Sequence, residues 1–468
     1  MTDCWEPTRK NQKQYPHFDK PLSLSELSSI ANSPQRVAEN AFFPFLEFKK
    51  SWIPFRADGR REPKSRLIRF ASRRDSAIFS RYRALLSDLY EKRLHATGLN
   101  EAVIAYRRIP LELNSDRGKC NIHFAKEAFE AIQALGTCCA VVMDISKYFE
   151  HIDHQRLKEC WQELLSEPTL PNDHYAVFKA LTQYRWVDRR QALAALGYMG
   201  ENRRLTIPAR KLPLQLCTPS EFRKKIADAS LIQKNENGYG IPQGAPLSDV
   251  LANLYLLDFD LQVSEWVQSR GGFYRRYSDD ILIVLPGGFE QGKSAFDFAA
   301  QQIQRFGEEL EIKAEKTAIV RYFPALDGLA YECDASCKCK NGLEYLGFRF
   351  DGQRVYLRDS TVSRFFRKMT LYCRREAIGL IKRYPGKPMS FIRQQVNIEE
   401  IDKKYGRVEG FDPQNARKWT FWTYARRASK IFGPPGRPIL GQVRKYRSFL
   451  RRTMEAEIER QYARRISE

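Results

Sequence analysis

The alternation of apolar and polar positions predicts a hairpin with an acidic tip between residues 273 and 285. This segment reads FYRRYSDDILIVL, with aromatic residues before Ser278-Asp279-Asp280 and aliphatic, mostly β-branched, residues after it. Both flanks are typical of strands, in which neighbouring side chains point to opposite faces. A tight turn breaks that alternation, so the pattern predicts two carboxylates exposed together at one edge of a sheet.

Further strands and helices are predicted on the N-terminal side of this hairpin. Residues 64–95 begin as a strand and become helical after Asp75, and the apolar run AVVM ends at Asp144 as a buried strand. Asp153 is the expected N-cap of the helix that follows. Residues 155–238 are predicted to be mainly helical, and a loop rich in glycine and proline, NGYGIPQGAPLSD, then opens an apolar helix.

On the C-terminal side, the pattern predicts one more hairpin and then helices to the end of the sequence. A helix is expected over roughly 294–310. The segment LEYLGFRFDGQRVYL predicts a hairpin with Asp351-Gly352 as its turn. From Thr361 the periodicity is helical, and its last part has an apolar stripe that indicates packing or an oligomer contact, formed by positions 443, 446, 450, 454, 458, 462 and 466.

The length and composition indicate a globular chain of several units. Its 468 residues, 43% of them hydrophobic, suffice for about two to four units with cores of their own. No apolar run approaches the roughly 18 residues of a membrane span, and the polar N-terminus lacks a signal-peptide core. We therefore expect a cytoplasmic protein without a membrane partner.

The ten cysteines follow no regular framework, which favours reduced thiols. Cys333, Cys337 and Cys339 lie close together in the sequence. A zinc site normally takes four ligands in paired spacings, and no fourth ligand lies beside these three. We interpret them as part of a loop.

The charge of the chain points to a polyanionic partner. Lys and Arg number 78 against 56 Asp and Glu, which gives a formal net charge of +22. From Ser360 onward there are 26 basic and 10 acidic residues, among aromatic residues that include Trp419, Trp422 and Tyr446. An alternative is that the excess of basic residues serves only to keep the chain soluble. However, cations neutralise phosphates and aromatic rings stack on bases, so nucleic acid is the expected partner.

Three aspartates suggest a metal site. Asp144 ends one strand, and Asp279 and Asp280 lie at the edge of another. If the two strands are neighbours in one sheet, three carboxylates converge, and hard oxygen ligands suit Mg²⁺. Two such ions about 4 Å apart can activate a 3′-hydroxyl and stabilise the leaving oxygen of a phosphoryl transfer. A pair of acids alone is more often a solvated turn; the ordered set points to the metal site.

Five motifs, in order, resemble the palm of a reverse transcriptase. They are VVMDISKYFEHIDH, GIPQGAPLSDVLANLYL, RRYSDD, LEIKAEKT and EYLGFRF, and the upstream RLIRFASRRD and GKCNIHFAKEAFEAI resemble the fingers of bacterial members. The resemblance implies an α+β fold in the right-hand polymerase arrangement. Residues 1–60 would be an N-terminal extension, 61–358 the fingers and a palm with an antiparallel sheet backed by helices, and 359–468 a helical basic thumb with a C-terminal extension.

The resemblance also implies roles for individual residues. Asp144, Asp279 and Asp280 would hold two Mg²⁺ ions, with Ile145 beside them, and Lys316 would protonate the leaving pyrophosphate. The residues implied in binding the incoming deoxynucleotide are Lys64, Arg66, Arg73, Arg74, Tyr148, Phe149, Pro242, Gln243 and Gly244. Those implied in gripping the primer are Tyr345, Leu346 and Gly347.

The residue types suit these roles. Glycines in GIPQG allow a close backbone approach, which would let Gln243 face the nucleotide. Guanidinium groups grip phosphate oxygens, although at least two of the four basic candidates would as readily face solvent, and so would Lys316. An aromatic side chain at Tyr148 or Phe149 would crowd a ribose 2′-hydroxyl and favour deoxynucleotides. The sequence does not choose between these two.

Within the family, this sequence is most similar to the defence-associated bacterial enzymes of the former unknown group, which are related to retron and group II intron enzymes. The resemblance rests on NIHFAKEAFEAI, a long helical insert with CTPSEFRKKI, and NGYGIPQGAPLSDVLANLYL. Ser278 departs from the retron enzymes, which prefer alanine at this place in the turn. It implies an RNA-directed DNA polymerase of the bacterial cytoplasm that acts against phage. A structured noncoding RNA would be its template, deoxynucleoside triphosphates its substrates and DNA its product. The oligomeric state, a homo-oligomer included, is left open.

Three other functions are compatible with the sequence. The same aspartates would serve template-independent synthesis of homopolymer DNA. The fold would serve as an RNA-binding scaffold without catalysis, although intact acids at all three positions count against this. A group II intron-like maturase would instead bind a structured intron RNA through its basic C-terminal region.

Overall fold

The structure, a computed structural model, describes residues 4–53, 63–112, 115, 117–202, 204–335, 339, 341–406 and 420–467. Cys337 and Trp419, singled out above, lie outside these residues, and so does the side chain at position 466. Across the described ranges, none of the helices combines the length and the apolar character needed to cross a bilayer.

The chain forms two compact units. The first comprises Met1–Arg107, Met143–Leu282 and Ala295–Ala314. The second comprises Arg108–Val142, Ile283–Ser294 and Glu315–Glu468. The three predicted metal ligands therefore all belong to the first unit, whereas the predicted primer grip belongs to the second. The division into fingers, palm and thumb remains a prediction.

Helices make up much of both units. In the described part of the chain they are α1 (Leu24–Ala31), α2 (Pro34–Ala38), α3 (Arg73–Ala96), α4 (Asn121–Leu135), α5 (His154–Leu165), α6 (Asn172–Thr182), α7 (Arg189–Ala195), α8 (Pro219–Phe222), α9 (Ser248–Tyr255), α10 (Leu257–Gln268), α11 (Phe289–Gln304), α12 (Asp359–Arg383), α13 (Met389–Gln394), α14 (Ile398–Tyr405), α15 (Phe421–Phe432), α16 (Arg437–Val443) and α17 (Tyr446–Ser467). The strands are β1 (Phe45–Trp52), β2 (Lys64–Phe70), β3 (Cys138–Asp144), β4 (Arg185–Asp188), β5 (Gln233–Lys234), β6 (Phe273–Tyr277), β7 (Asp280–Pro286), β8 (Ala318–Ala325), β9 (Gly328–Cys333), β10 (Leu343–Tyr345), β11 (Phe348–Phe350) and β12 (Val355–Leu357).

These strands form three sheets. In the first unit the order is β2-β1-β4-β5, with β1 antiparallel to β2 and parallel to β4. In the second unit β10, β11 and β12 form an antiparallel sheet. The remaining sheet has the order β6-β7-β3-β8-β9, in which β8 is antiparallel to both β3 and β9. Helices combined with mainly antiparallel sheets confirm the α+β class.

Several elements around the predicted site lie where the sequence places them. The acidic hairpin is formed by β6 and β7, and β7 lies next to β3, so the condition that these strands be neighbours in one sheet is met. Asp153 caps α5 by accepting a hydrogen bond from the amide of Arg156 at 2.8 Å. The second hairpin is formed by β11 and β12, with Gly352 at φ +93° in its turn. The helix expected over 294–310 begins earlier, at Phe289.

Strand β1 was not predicted. The sequence places residues 45–52 in the N-terminal extension, but they pair with β2 over seven positions and also with β4. The predicted boundary near residue 60 therefore falls between two hydrogen-bonded strands. Phe18 and Leu46 share one buried apolar cluster with Val187, so the preceding segment also packs into the first unit, as expected of an extension held on the main body.

Arg73 holds the N-terminal segment in place and does not bind a triphosphate. Its buried guanidinium pairs with the carboxylate of Asp19 at 3.0 Å. It also donates to four backbone carbonyls, those of Lys13, Tyr15, Asp19 and Leu214. These contacts engage all five guanidinium N–H groups. The prediction for Arg73 is wrong, because no donor is left for phosphate oxygens.

The C-terminal apolar stripe packs inside the second unit. Its members Leu450, Met454 and Ile458 are buried on α17, which runs along α12. The thiol of Cys373 on α12 lies 3.9 Å from the carbonyl of Leu450. This agrees with the interpretation of the stripe as packing.

Gly292 provides a test of how closely α11 packs on its sheet. A Cβ at this position would lie 2.8 Å from Cγ2 of Ile319 and closer still to Sγ of Cys139. We expect Gly292→Ala to lower the free energy of unfolding by about 1–3 kcal/mol, as overpacking typically does, measured by urea denaturation. Gly379→Ala in α12 is the matched control, because a Cβ there meets nothing within 4 Å. It should be neutral or stabilising by up to about 1 kcal/mol, and equal losses in both variants would contradict this packing.

Candidate active site

The turn between β6 and β7 presents two adjacent aspartates. Strand β6 ends at Tyr277 and β7 begins at Asp280. Between them Ser278 is buried and has a left-handed backbone, with φ +60°. This conformation costs a non-glycine residue about 1–2 kcal/mol, and it reverses the chain within two residues. Asp279 and Asp280 are both partly accessible at the resulting tip.

Asp144 arrives beside this turn at the end of β3. The amide of Ile145 donates to the carbonyl of Asp279 at 3.0 Å, which fixes the end of β3 next to the turn. Burial raises the pKa of Asp279 above its ordinary value, and the negative charge of Asp144 raises it further. Two of the three predicted carboxylates are therefore close enough to repel each other, and Asp280 follows directly in the chain.

One of the predicted phosphate-binding cations lies near these carboxylates. Arg66 is exposed on β2, and its positive charge acts to lower the pKa of Asp279, although burial outweighs it. Lys64 is two residues away and shares its face of the strand. Arg74 donates instead to the carbonyl of Ala41 at 3.1 Å and lines a cavity of about 700 Å³. None of the three aspartates lines that cavity.

The glycine-rich loop packs directly on β2. The amide of Arg69 donates to the carbonyl of Gln243 at 3.0 Å. Gly244 has φ +112°, and a Cβ there would lie 2.6 Å from the carbonyl oxygen of Arg69. Only glycine fits both this conformation and this approach. Pro242 is buried and Gln243 is partly accessible, so within this motif the Gln243 side chain is the one available to a ligand.

The structure distinguishes the two aromatic residues that the sequence left as alternatives. Tyr148 is buried, and its hydroxyl donates to the carbonyl of Ala252. Phe149 is partly accessible and packs edge-on against Tyr148, with ring centroids 5.7 Å apart. The side chain that can meet a bound sugar is therefore that of Phe149, which Tyr148 supports from the core.

The remaining predicted site residues lie in the second unit. Lys316 is exposed at the end of a short 3₁₀ helix. Leu346 and Gly347 form the turn between β10 and β11, with φ +45° and +92°, next to the buried Tyr345. The side-chain amide of Asn121 donates to the carbonyl of Leu346 at 3.0 Å and so holds this turn. Their roles toward pyrophosphate and primer remain predictions.

Tyr106 belongs to the site, although the sequence did not indicate it. Its hydroxyl donates to Oγ of Ser278 at 3.2 Å, and its ring centroid lies 6.4 Å from that of Tyr277. Burial raises the pKa of Tyr106, and the charge of Asp279 acts in the same direction. The residue lies in the loop segment VIAYRRIP, where no periodicity or motif marks it. Its contacts arise only when the chain folds.

The structure does not group the three predicted aspartates as a three-ligand metal site, so a metal at this turn remains a prediction. Among the described residues, no group of three or more His, Cys, Asp or Glu side chains is arranged to hold a metal ion. Mg²⁺ keeps several waters and is commonly bound by one or two carboxylates together with substrate phosphates. Asp144 and Asp279, which repel each other at a partly accessible turn, match that requirement.

Comparisons with known proteins give similarity at the level of solved structures. No protein-family model and no curated protein matches the sequence. The chain resembles apo telomerase from Candida tropicalis truncated from its C-terminal domain, with a TM-score of 0.40, 9% identity, and coverage of 74% of this chain and 63% of that one. It also resembles telomerase from Candida albicans in complex with the TWJ fragment of telomeric RNA, with a TM-score of 0.37, 10% identity, and coverage of 88% and 66%. The chain thus spans less than two thirds of the length of these telomerases, and at such TM-scores the likeness supports no inference about function.

Asp144 and Arg66 have opposite effects on the pKa of Asp279, and these effects can be tested without any substrate. Asp144→Asn removes a negative charge that raises the pKa of Asp279, so this pKa should fall. Arg66→Gln removes a positive charge that lowers it, so the pKa should rise. NMR titration of protein labelled with ¹³C-aspartate, without divalent cations, measures both changes. Asp258→Asn on α10, a partly exposed position paired with Arg156, is the control and should leave the pKa unchanged.

A change of the same sign in the Asp144 and Arg66 variants would contradict this arrangement of charges.

Proposed function

We propose that this chain is an RNA-directed DNA polymerase of the reverse transcriptase type. The observation that supports it most is the meeting of Asp144 and Asp279 at the turn, with the cation of Arg66 near them. Carboxylates that repel each other at an accessible edge suit a divalent cation, and a neighbouring guanidinium suits phosphate. This combination favours nucleotidyl transfer.

The chain's own groups would bind and orient the reactants. Asp144 and Asp279 would hold Mg²⁺, with Asp280 and the carbonyl of Ile145 as further oxygen ligands. When bound, two Mg²⁺ ions activate a 3′-hydroxyl and stabilise the leaving oxygen.

Cationic and polar side chains would hold the nucleotide. Arg66 and Lys64 would neutralise the triphosphate from the exposed face of β2, since a guanidinium binds phosphate oxygens in a bidentate manner. Gln243 would contact the base or sugar from its glycine-rich loop. Lys316 would give a proton to the departing pyrophosphate.

Beside the two cations assigned to the triphosphate, the ribbon formed by β1 and β2 would offer Phe48, Lys50 and Trp52 of β1 to a single-stranded template. One of its faces carries the cross-strand pairs Phe48 with Ile68, Lys50 with Arg66 and Trp52 with Lys64. Phe48 and Trp52 are each 37% exposed, so their rings are available for stacking. Aromatic rings interleaved with cations bind single strands by stacking on bases and neutralising phosphates. The net charge of +22 also favours a polynucleotide partner.

The proposed cellular role and the proposed template RNA rest on the sequence resemblance. On that basis the enzyme acts in antiphage defence in the bacterial cytoplasm, with a structured noncoding RNA as its template. DNA copied from that RNA is the product. Template-independent synthesis and a scaffold or maturase role are the alternatives that an experiment must separate.

Sequencing of nucleic acid that co-purifies with the protein tests template use. We expect wild-type protein, taken before and after phage infection, to carry DNA complementary to one abundant small RNA. Asp279→Ala/Asp280→Ala should reduce this DNA by roughly 100-fold or more, since it removes groups that stabilise the transition state. Asp258→Asn, which alters an acid on α10 outside the turn, should retain it.

Two other outcomes would contradict RNA-templated synthesis. Homopolymeric DNA without a matching RNA would favour template-independent polymerisation. The same RNA bound by wild-type and variant protein, without any DNA, would favour the scaffold or maturase function.

Phe149 is expected to exclude ribonucleotides by crowding the 2′-hydroxyl. Phe149→Ala should lower the preference for dTTP over UTP by about 10-fold or more, which is typical of changes in pocket shape. The ratio of kcat/KM values for the two nucleotides on a poly(rA) template measures this preference. Tyr148→Phe removes only the buried hydroxyl and should leave the ratio unaltered. If the Phe149 variant discriminates as well as wild type, the side chain does not select the sugar.

A further inference from the structure

Beneath the turn that carries Asp279 and Asp280 lies a buried ion pair. The guanidinium of Arg276 donates two hydrogen bonds to the carboxylate of Asp260, of 2.7 Å from Nε and 2.6 Å from Nη2. Both side chains have 0% exposure. Two such bonds in parallel fix the plane of the guanidinium in one orientation.

The same guanidinium reaches the backbone of the turn. Nη1 of Arg276 donates to the carbonyl of Ser278 at 3.0 Å, and Ser278 is the residue with the left-handed φ. A strained backbone conformation persists only where its surroundings over-determine it. Arg276 supplies one such contact from the core. The contact is to the peptide group that joins Ser278 to Asp279.

Neighbouring groups hold the ion pair on both sides. The hydroxyl of Tyr274 donates to the Asp260 carboxylate at 2.6 Å. The backbone amide of Arg276 donates to the carbonyl of Ala102 at 2.8 Å, and its carbonyl accepts from the amide of Ile104 at 3.0 Å. All these residues belong to the first unit. Arg276 therefore has little freedom to move away from the turn.

A contribution to stability does not by itself explain why an ion pair is buried at this position. Apolar residues of similar volume often stabilise a core as well as a buried ion pair does. They cannot, however, donate a hydrogen bond to the carbonyl of Ser278. We propose that Arg276, held by Asp260, is a positioning residue that sets the backbone of the turn and thereby the direction of the Asp279 and Asp280 carboxylates. Its catalytic consequence rests on the proposed polymerase function, whereas its effect on the turn does not.

The variant Arg276→Met/Asp260→Leu separates positioning from stability. It fills the core with apolar side chains, which should keep the protein folded, but it removes the donor to Ser278. The reporter is the amide of Ile145, which donates to the carbonyl of Asp279. We expect hydrogen exchange at this amide, followed by mass spectrometry, to become about tenfold faster or more.

Two further variants complete the series. Arg276→Lys keeps a positive charge near Asp260, but its single ammonium cannot reproduce the fixed fork of donors. It should give an intermediate exchange rate, and it tests the proposal if the double variant does not fold. Tyr274→Phe is the matched control, because it removes a buried bond to the same carboxylate while the donor to Ser278 stays. Its exchange at Ile145 should remain within about twofold of wild type.

Kinetics on a primed RNA template supply the second readout. In the double variant kcat should fall about tenfold or more, since misplaced catalytic groups slow the chemical step, while the KM for the deoxynucleotide changes little. Unchanged exchange at Ile145 in a folded double variant would overturn the proposal, and so would wild-type kcat. Faster exchange in variants of a protein whose wild type makes no DNA would support the positioning role and reject the polymerase function.

Discussion

A guanidinium–carboxylate pair without solvent access, Arg276 with Asp260, lies directly under the strained turn between β6 and β7. Removing one member of such a pair leaves a buried charge without its partner, which costs about 3–5 kcal/mol. Substitution of one member alone is therefore expected to be strongly destabilising. A further donor of Arg276, Nη1, binds the carbonyl of Ser278. The left-handed backbone at Ser278 in turn places Asp279 and Asp280 at an accessible edge.

Backbone hydrogen bonds assemble other parts of the site. The amide of Ile145 binds the carbonyl of Asp279, which brings Asp144 to the turn. In the same way the amide of Arg69 binds the carbonyl of Gln243, which seats the glycine-rich loop on β2. Backbone contacts of this kind do not use the side chains, which stay available for chemistry. The resulting site combines repelling carboxylates with the cation of Arg66, and the proposed nucleotidyl transfer rests on this combination.

Local patterns explain why some of this could be predicted from sequence. The acidic hairpin follows from strand-forming flanks around a short polar turn, the N-cap at Asp153 from its side chain, and the close approach at Gly244 from its lack of a Cβ. These features depend on a few neighbouring residues. The choice of Phe149 over Tyr148 did not follow, because both are aromatic and only burial separates them.

Features that depend on contacts between separate parts of the chain could not be predicted from the sequence. The pairing of β1 with β4 joins positions more than 130 apart in the chain. Arg73 and Arg74 are identical in type and adjacent, yet only Arg73 is enclosed by carbonyls from residues 13 to 214. Arg276 and Asp260 lie on different elements, and Tyr106 contacts Ser278 across 172 positions. Periodicity carries no information on such pairings.

Cleavage of the protein backbone by bound iron measures whether the turn binds a divalent ion. Fe²⁺ in place of Mg²⁺, with ascorbate and peroxide, cuts the backbone next to the ion, and mass spectrometry maps the cuts. The arrangement described above predicts cuts near Asp144 and near Asp279-Asp280, suppressed by excess Mg²⁺ and lost in Asp279→Ala/Asp280→Ala. Cuts confined to other segments, or an identical pattern in that variant, would contradict a metal site at this turn.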